Sequence, residues 1–551
     1  MNTAFLRRLQ RILQGDGFSP SDAYKALRRE IARRLAGPRA AWLEPFWTAD
    51  IRPLPPKAQR LLDTLPLAQT PSPDALSHAS LDALNEFFAP KRKPSGIFYT
   101  PWPVAQHLAR AALYCLLTRR AGLTEPDARR LLTQPALPRG IDAPRLDDCL
   151  AHLTLCDPAA GAGGLLLPLA LELANLRTRL NPTLNTGETL SFLFTHTLYA
   201  GDISAAALAD LQLRAAVLLA QAGVQPPLQP IPHRLLGNAL AAQNGQSIWE
   251  QTFAQVAQNG GFDLVISNPP YVGQKHHRDV FEPLRKNPLW RACAAPKSDL
   301  LYFFFYLALR LLKEGGIGAF LTPPYFASAA AAKTLRTQLR TQTALLYLQD
   351  FGEKHLFGAA AGEHSLITVL EKNTGPDKPL CRVGEQPLKQ EQLYQGPDLF
   401  LQTRPLPAAA LASALSKMAA APRTLGQVAR VSNGLMTGCD KISAAHLRRF
   451  ALPGVHKGDG VFVLSCAEKE SLRLSALERQ KLKPFFKNSD ISSYTAARQP
   501  QNWLVDFFYP NDRELDFARY PRLRAHLARF RPVLLARKQN NNGIHKLLAK
   551  E

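Results

Sequence analysis

The chain has no Cys-x-x-Cys pair among its seven cysteines, and an odd count cannot pair completely. This argues against a disulfide framework and a cysteine zinc site, so the thiols are expected to be reduced. The histidines form no better metal pattern, since His276 and His277 are adjacent whereas a chelating helical pair sits at i, i+4. No metal is expected in the chemistry. Long apolar runs are also missing: Leu300 to Leu312 falls short of the roughly 18 to 20 residues that span a bilayer, and it contains Arg310. No membrane association is expected. The N-terminus, Met1-Asn-Thr-Ala-Phe-Leu-Arg-Arg8, has neither an apolar core nor a small-residue cleavage site, so a cytoplasmic location is expected. Acidic residues are scarce, 44 against 67 basic ones, for a net charge of +23. Such an excess favours a polyanionic partner, most simply nucleic acid.

At 551 residues the chain exceeds what one core usually serves, and two or three domains are expected. Residues 1–95 read as an accessory region of helices with basic faces (Arg7, Arg8, Arg11, then Arg28, Arg29, Arg33, Arg34), interrupted by Arg52-Pro-Leu-Pro-Pro-Lys57. Over 96–375 short apolar runs alternate with helical segments, the pattern of an α/β domain with a parallel sheet. Strands are expected at Leu153 to Cys156, Leu198 to Ala200, Leu264 to Ser267, Ile317 to Leu321, Leu345 to Leu348 and Leu366 to Leu370. A helix is expected from Asp299 to Lys313, ending at Gly315 and Gly316. The stretch Asn373 to Pro379 reads as a boundary, 376–422 as a linker, and 423–551 as a mixed C-terminal domain with a basic helical run from Arg519 to Lys538. No internal repeat is found.

The most informative peptide is Asp263-Leu-Val-Ile-Ser-Asn-Pro-Pro-Tyr271, an apolar strand running into a proline-stiffened turn. Two prolines fix φ and bias their neighbours towards extended backbone, so Asn268 Oδ1 and the Pro269 carbonyl can converge as two acceptors for one exocyclic NH2. Tyr271 offers a ring on which a planar group can stack. That arrangement suits methyl transfer to a conjugated nitrogen.

Upstream, Asp157-Pro-Ala-Ala-Gly-Ala-Gly-Gly164 joins a strand to the apolar helix Leu165 to Leu176. Gly161 and Gly163 would let backbone approach a ligand, helix amides would favour a carboxylate, and Asp157 could accept from an ammonium group. Tight strand-to-helix packing explains the same glycines equally well. A second acidic strand end, Gly201-Asp202-Ile203, suits ribose hydroxyls. A third, Gly237-Asn238-Ala239, could reach an adenine edge, or Asn238 could simply cap the next turn.

These motifs, in this order, resemble the gamma-class DNA adenine N6-methyltransferases of the TaqI-like type, which also form the methylase half of some restriction-modification enzymes. The resemblance covers residues 96 to about 540. It implies a Rossmann-like S-adenosylmethionine-dependent methyltransferase domain with an N-terminal helical region and a C-terminal mixed target-recognition domain. Gly96-Ile-Phe-Tyr-Thr100-Pro101 matches the element that packs over the methionine part of S-adenosyl-L-methionine. The Asp157 loop matches with Ala160 and Ala162 in place of Cys and Ser. The resemblance therefore implies cofactor contacts at Thr100, Asp157, Ala159, Gly161, Gly163, Asp202, Ile203, Asn238 and Ala239. It implies catalysis by Asn268, Pro269, Pro270 and Tyr271, with Phe357 as the second base-stacking aromatic.

Double-stranded DNA is the implied partner, contacted by Lys275, Arg522, Arg524, Arg529, Arg531, Arg537 and Lys538. A solvated helix face is the plainer explanation of the last six. The target-recognition likeness rests on Val428 to Gly438, Leu482 to Ile491 and Tyr520 to Leu527. Relatives continue past an element like Asn542-Gly543 into a Trp-rich segment, so a truncated or split recognition domain is expected, completed by another chain. No Glu-x-Lys occurs, so cleavage would need a separate restriction endonuclease. The expected activity is methylation of N6 of a flipped adenine within a restriction-modification or phage-defence system. N4-cytosine methylation and an inactive DNA-binding relic remain the alternatives.

Overall fold

The computed structural model describes residues 3–46, 51–63, 100–225, 230–275, 277–352 and 364–406, with shorter stretches between 413 and 536. The chain divides into two compact units, Met1–Ala414 and Leu415–Glu551.

The first unit is built on a nine-stranded sheet. Its strands are β1 (Leu155–Asp157), β2 (Leu198–Asp202), β3 (Arg234–Leu236), β4 (Phe262–Ser267), β5 (Leu312–Thr322), β6 (Thr343–Asp350), β7 (Leu366–Lys372), β8 (Cys381–Val383) and β9 (Gln386–Leu388). Their spatial order is β9-β8-β6-β7-β5-β4-β1-β2-β3. From β3 through β5 every pairing is parallel. β7 is inserted antiparallel between β5 and β6. The α/β class expected from the alternating pattern is the one observed.

Strand residues alternate between two cores. Leu264 and Ile266 of β4 face one cluster with the helices Trp102–Arg119, Leu166–Leu180 and Ala205–Gln221, while Val265 faces the other with the helix Leu300–Leu311. A near-continuous apolar β4 is what burial on both faces demands. The N-terminal helices Thr3–Gly15 and Pro20–Ala36 bury their apolar stripes against Leu213, Ala216, Val217 and Ala220 of the helix Ala205–Gln221. Arg28 pairs with Asp210 at 2.6 Å, and Tyr24 donates to the same carboxylate. Part of the accessory region's basic face is therefore an attachment to the sheet domain.

Three expectations change. The helix expected to reach Lys313 ends at Leu311 and passes directly into β5, where Gly315 adopts a positive φ within an irregular stretch of strand. The stretch Asn373 to Pro379 does not leave the sheet: β8 pairs parallel with β6, β9 folds back on β8, and Arg404 ties to Asp350 at 2.8 Å. The residues read as a linker thus begin inside the sheet. In the second unit the basic run is two short helices, Pro521–Ala528 and Arg531–Leu535, packed through Leu523, Leu527, Phe530 and Val533 beside a three-stranded antiparallel sheet.

One buried cation shapes the carboxyl edge. Arg336, fully buried, donates to the carbonyls of Phe326 and Ala329 at 2.7 and 2.8 Å and to that of Asp398 at 2.9 Å. Replacing it by leucine leaves the carbonyls of Phe326 and Asp398 without this donor and takes from Ala329 one of its two, the Ala332 amide being the other. Arg336→Leu is expected to lower stability by about 2–4 kcal/mol, read by urea unfolding of the full chain. An unchanged midpoint would contradict this role.

Candidate functional site

Strand order reverses between β1 and β4, since the chain builds outward from β1 in one direction through β2 and β3 and in the other through β4 and β5. In open α/β sheets, ligands bind outside the carboxyl ends of the strands at such a point. Asp157 ends β1 there and Asn268 follows β4.

A buried carboxyl joins the two ends. Asp157 Oδ1 accepts from the Ala159 amide at 2.9 Å and from the Ser267 hydroxyl at 3.1 Å. Burial pushes its pKa up to about 7, with the charge of Asp202 adding to the rise and the two donors opposing it. Asp202 is oriented by two amides, Gly161 on Oδ2 at 2.9 Å and Ser204 on Oδ1 at 2.8 Å. Burial raises its pKa while these amides, and that of Ile203, lower it. A carboxylate offers about four lone-pair sites, so Asp202 Oδ2, which accepts the Gly161 amide, can take a further donor.

The two loop glycines divide the roles proposed for them. Gly161 has φ +54° with open space where a Cβ would stand, leaving its backbone accessible to a ligand. At Gly163, φ +82°, a Cβ would stand 2.5 Å from Leu211 Cδ1, so this glycine permits strand-to-helix packing. At the ends of β2 and β3 two apolar residues stand in solvent, Ile203 just after β2 at 76% and Leu236, the last residue of β3, at 59% exposure. Leu236 escaped the sequence reading. An apolar residue just before a Gly-Asn strand end was the available signal. Asn238 is exposed, and its Oδ1 accepts from the Leu240 amide at 3.0 Å, a local turn contact, while Ala239 is buried.

The residues present fit a nucleoside bearing an amino acid. An acidic group suited to an ammonium lies at Asp157, a fixed carboxylate for ribose hydroxyls at Asp202, open backbone at Gly161, and exposed apolar surface for a base at Ile203 and Leu236. S-adenosylmethionine has those parts.

On the β4 side, Asn268 Nδ2 donates to Thr100 Oγ1 at 2.9 Å. Thr100 is buried at the entry to the helix Trp102–Arg119 and so fixes the amide orientation. Asn268 Oδ1 accepts from the Tyr271 hydroxyl, which also lies 3.0 Å from the Leu321 carbonyl. Tyr271 thus turns its hydroxyl onto the acceptor that a substrate amine would require. Pro269 is buried, Pro270 half-buried, and Lys275 exposed. Among the described residues no group of three or more His, Cys, Asp or Glu could hold a metal ion. Phe357, Arg537 and Lys538 lie outside the described residues. In the second unit the side chains of Arg522 and Arg531 are exposed, Arg524 is partly buried, and Arg529 donates to the Gly454 carbonyl and pairs with Asp459 at 3.7 Å.

The buried carboxyl gives a pH signature. Its native pKa near 7 exceeds the ordinary 3.8, so the native state holds a proton that the unfolded chain has released between about pH 4 and pH 7. Stability falls as pH rises through that window, and the full cost is carried above it. Asp157→Asn removes that cost. Without ligand, the variant is expected to match the wild type near pH 4 and to exceed it by on the order of 4 kcal/mol at pH 8, measured by denaturant unfolding at both pH values.

Residues 192–357 match the family model described as Eco57I restriction-modification methylase. The Type II methyltransferase M.HincII of Haemophilus influenzae is 26% identical over 134 residues, 24% of this chain and 27% of the relative. The Type II restriction enzyme and methyltransferase RM.Eco57I of Escherichia coli is 24% identical over 150 residues, 25% of this chain and 14% of the relative. The matches thus span about a quarter or less of these relatives' length. In structure the chain resembles the Type IIL restriction-modification enzyme MmeI, solved in complex with DNA, with TM-score 0.55, 15% identity, and coverage of 95% of this chain and 67% of that one. That likeness is one of fold. Over a stretch that includes Asp202 and the Asn268-Pro-Pro-Tyr271 turn, the chain is similar to the methylases of restriction-modification systems.

Proposed function

We propose that this chain transfers a methyl group from S-adenosylmethionine to N6 of an adenine extruded from double-stranded DNA, as the modification component of a restriction-modification or phage-defence system. The observation that carries the reading is the turn at Asn268: an oriented amide oxygen at the sheet's switch point, one residue from the hydroxyl that binds Asp157. The likeness to restriction-modification methylases supports it.

When bound, S-adenosylmethionine supplies an electrophilic methyl group. Asn268 Oδ1 and the Pro269 carbonyl accept the two hydrogens of the amine, drawing the nitrogen lone pair out of ring conjugation. Thr100 keeps the amide from rotating. The Tyr271 hydroxyl must first leave Oδ1, and the same movement frees the ring to stack on the base. No tuned general base is needed, because an N-methylated cationic nitrogen loses its proton readily. Asp202 holds ribose hydroxyls, Asp157 the ammonium group, and Ile203 and Leu236 flank the cofactor's base. Extruding the target costs a few kcal/mol, which phosphate contacts from Lys275 and the exposed arginines of the second unit offset.

The decisive experiment incubates the chain with methyl-labelled S-adenosylmethionine and unmodified plasmid DNA, identifies the modified base after hydrolysis and maps it by sequencing. N6-methyladenine at one sequence context is expected. N4-methylcytosine would replace the adenine assignment, and unlabelled DNA would remove the proposal. Asn268→Ala is expected to lower turnover by roughly 100- to 1000-fold with cofactor affinity preserved. Tyr271→Phe keeps the stacking ring and frees Oδ1, so transfer persists. Tyr271→Ala should instead lose roughly 5- to 150-fold in kcat/KM.

A further inference from the structure

The turn after β5 repeats the wording of the turn after β4. Asn268-Pro-Pro-Tyr271 follows one strand and Thr322-Pro-Pro-Tyr325 closes the other. The two strands are parallel neighbours with Ser267 opposite Phe320, so both turns leave the sheet at the same carboxyl edge. The Tyr271 hydroxyl lies 3.0 Å from the carbonyl of Leu321, the residue immediately before the second turn. Two proline pairs on adjacent strand ends thus bring two tyrosines to one mouth, each on a stiffened backbone.

Tyr325 is held differently from Tyr271. Its side chain is 38% exposed, although Phe326 and Ala327 beside it are buried. The hydroxyl end is anchored by a hydrogen bond to the carboxylate of Asp299. Burial, then the charge of Asp299, pushes that hydroxyl well above the ordinary phenol range, so it stays protonated and donates. Asp299 is itself fixed: it caps the helix Leu300–Leu311 by accepting from the Leu301 amide at 3.1 Å. It also forms an antiparallel bridge with Gly273, two residues beyond Tyr271, and the Leu300 amide donates to Val272 at 2.9 Å. Behind the turn, the carbonyls of Phe326 and Ala329 are gripped by Arg336. The result is an exposed aromatic side chain on immobile supports, which loses little freedom when a partner stacks on it.

We infer that Tyr325 is a second nucleobase-contacting residue of this site, its ring meeting the heterocycle presented to Asn268, and that Asp299 positions it by holding its hydroxyl. This assignment rests on the proposed transfer to a base in DNA. It adds a contact from the strand next to the catalytic turn, whatever Phe357 contributes.

The test uses the full chain and a duplex oligonucleotide carrying the mapped site, with 2-aminopurine at the target position for fluorescence and adenine there for turnover. Tyr325→Phe, Tyr325→Leu and Tyr325→Ala are compared with the wild type for kcat/KM of methyl transfer, cofactor affinity, melting temperature and 2-aminopurine emission. Stacking on a base predicts a loss of roughly 5- to 150-fold for Leu and Ala, mainly through KM for DNA, with altered emission and unchanged cofactor affinity. Phe should stay within about threefold, having lost only a hydrogen bond. Should Ala fail to fold, Leu against Phe decides at matched melting temperature. Leu equal to the wild type in turnover and emission overturns the assignment alone, as does an equal loss for Phe and Leu. A wild-type chain that methylates no DNA overturns it together with the reading beneath it.

Discussion

The carboxyl of Asp157 is the point on which the site's arrangement depends. It is buried where ionisation is costly, and its Oδ1 is shared between the amide of the glycine loop and the hydroxyl that precedes the Asn268 turn. The halves of the site are therefore not independent. Through Gly161 the loop also fixes Asp202, and through Ser267 the same carboxyl adjoins Asn268, whose amide is held by Thr100. A displacement of either strand end would unmake a hydrogen bond to a group that cannot easily find water. Such networks keep a geometry because partial satisfaction is worse than none.

Much of this was legible in the residues, for identifiable reasons. β1, β2 and β4 are apolar runs that stop at Asp157, Asp202 and Ser267, so hydrophobicity and punctuation coincide at the carboxyl edge of the sheet. The end of β3 was legible at Gly237-Asn238, but the strand's extent was not, because only Leu235 of its three residues is buried and leaves no apolar run. β8 and β9 were missed because the sheet resumes after a Gly-Pro stretch that resembles a boundary. The helix ending at Leu311 was overextended because Leu312 and Lys313 read as its last turn before Gly315-Gly316, whereas they already belong to β5. The hydroxyl of Tyr271 resting on Asn268 Oδ1 has no sequence signature at all: it is a rotamer choice, made by the hydrogen bonds on offer.

Net charge proved a coarse guide to location. Several arginines that contribute to it are engaged inside the fold: Arg28 with Asp210, Arg119 with Glu371, Arg177 with Asp147, and Arg336 with backbone carbonyls. Their role is attachment and loop support. The cations available to a polyanion are the exposed remainder, including Lys275 and Arg522.

The reversed strand β7 carries a consequence for how the chain is made. β5 and β6 are consecutive strands in the sequence, yet they never pair, because β7 arrives later and separates them. During synthesis β5 therefore waits with an open edge until the chain has grown past Lys372, and its apolar residues Ile317 to Leu321 form a template for mispairing meanwhile. A ribosome pause or an engineered end falling between β6 and β7 would leave that edge exposed, although every residue of the Asn268-Pro-Pro-Tyr271 turn was already present.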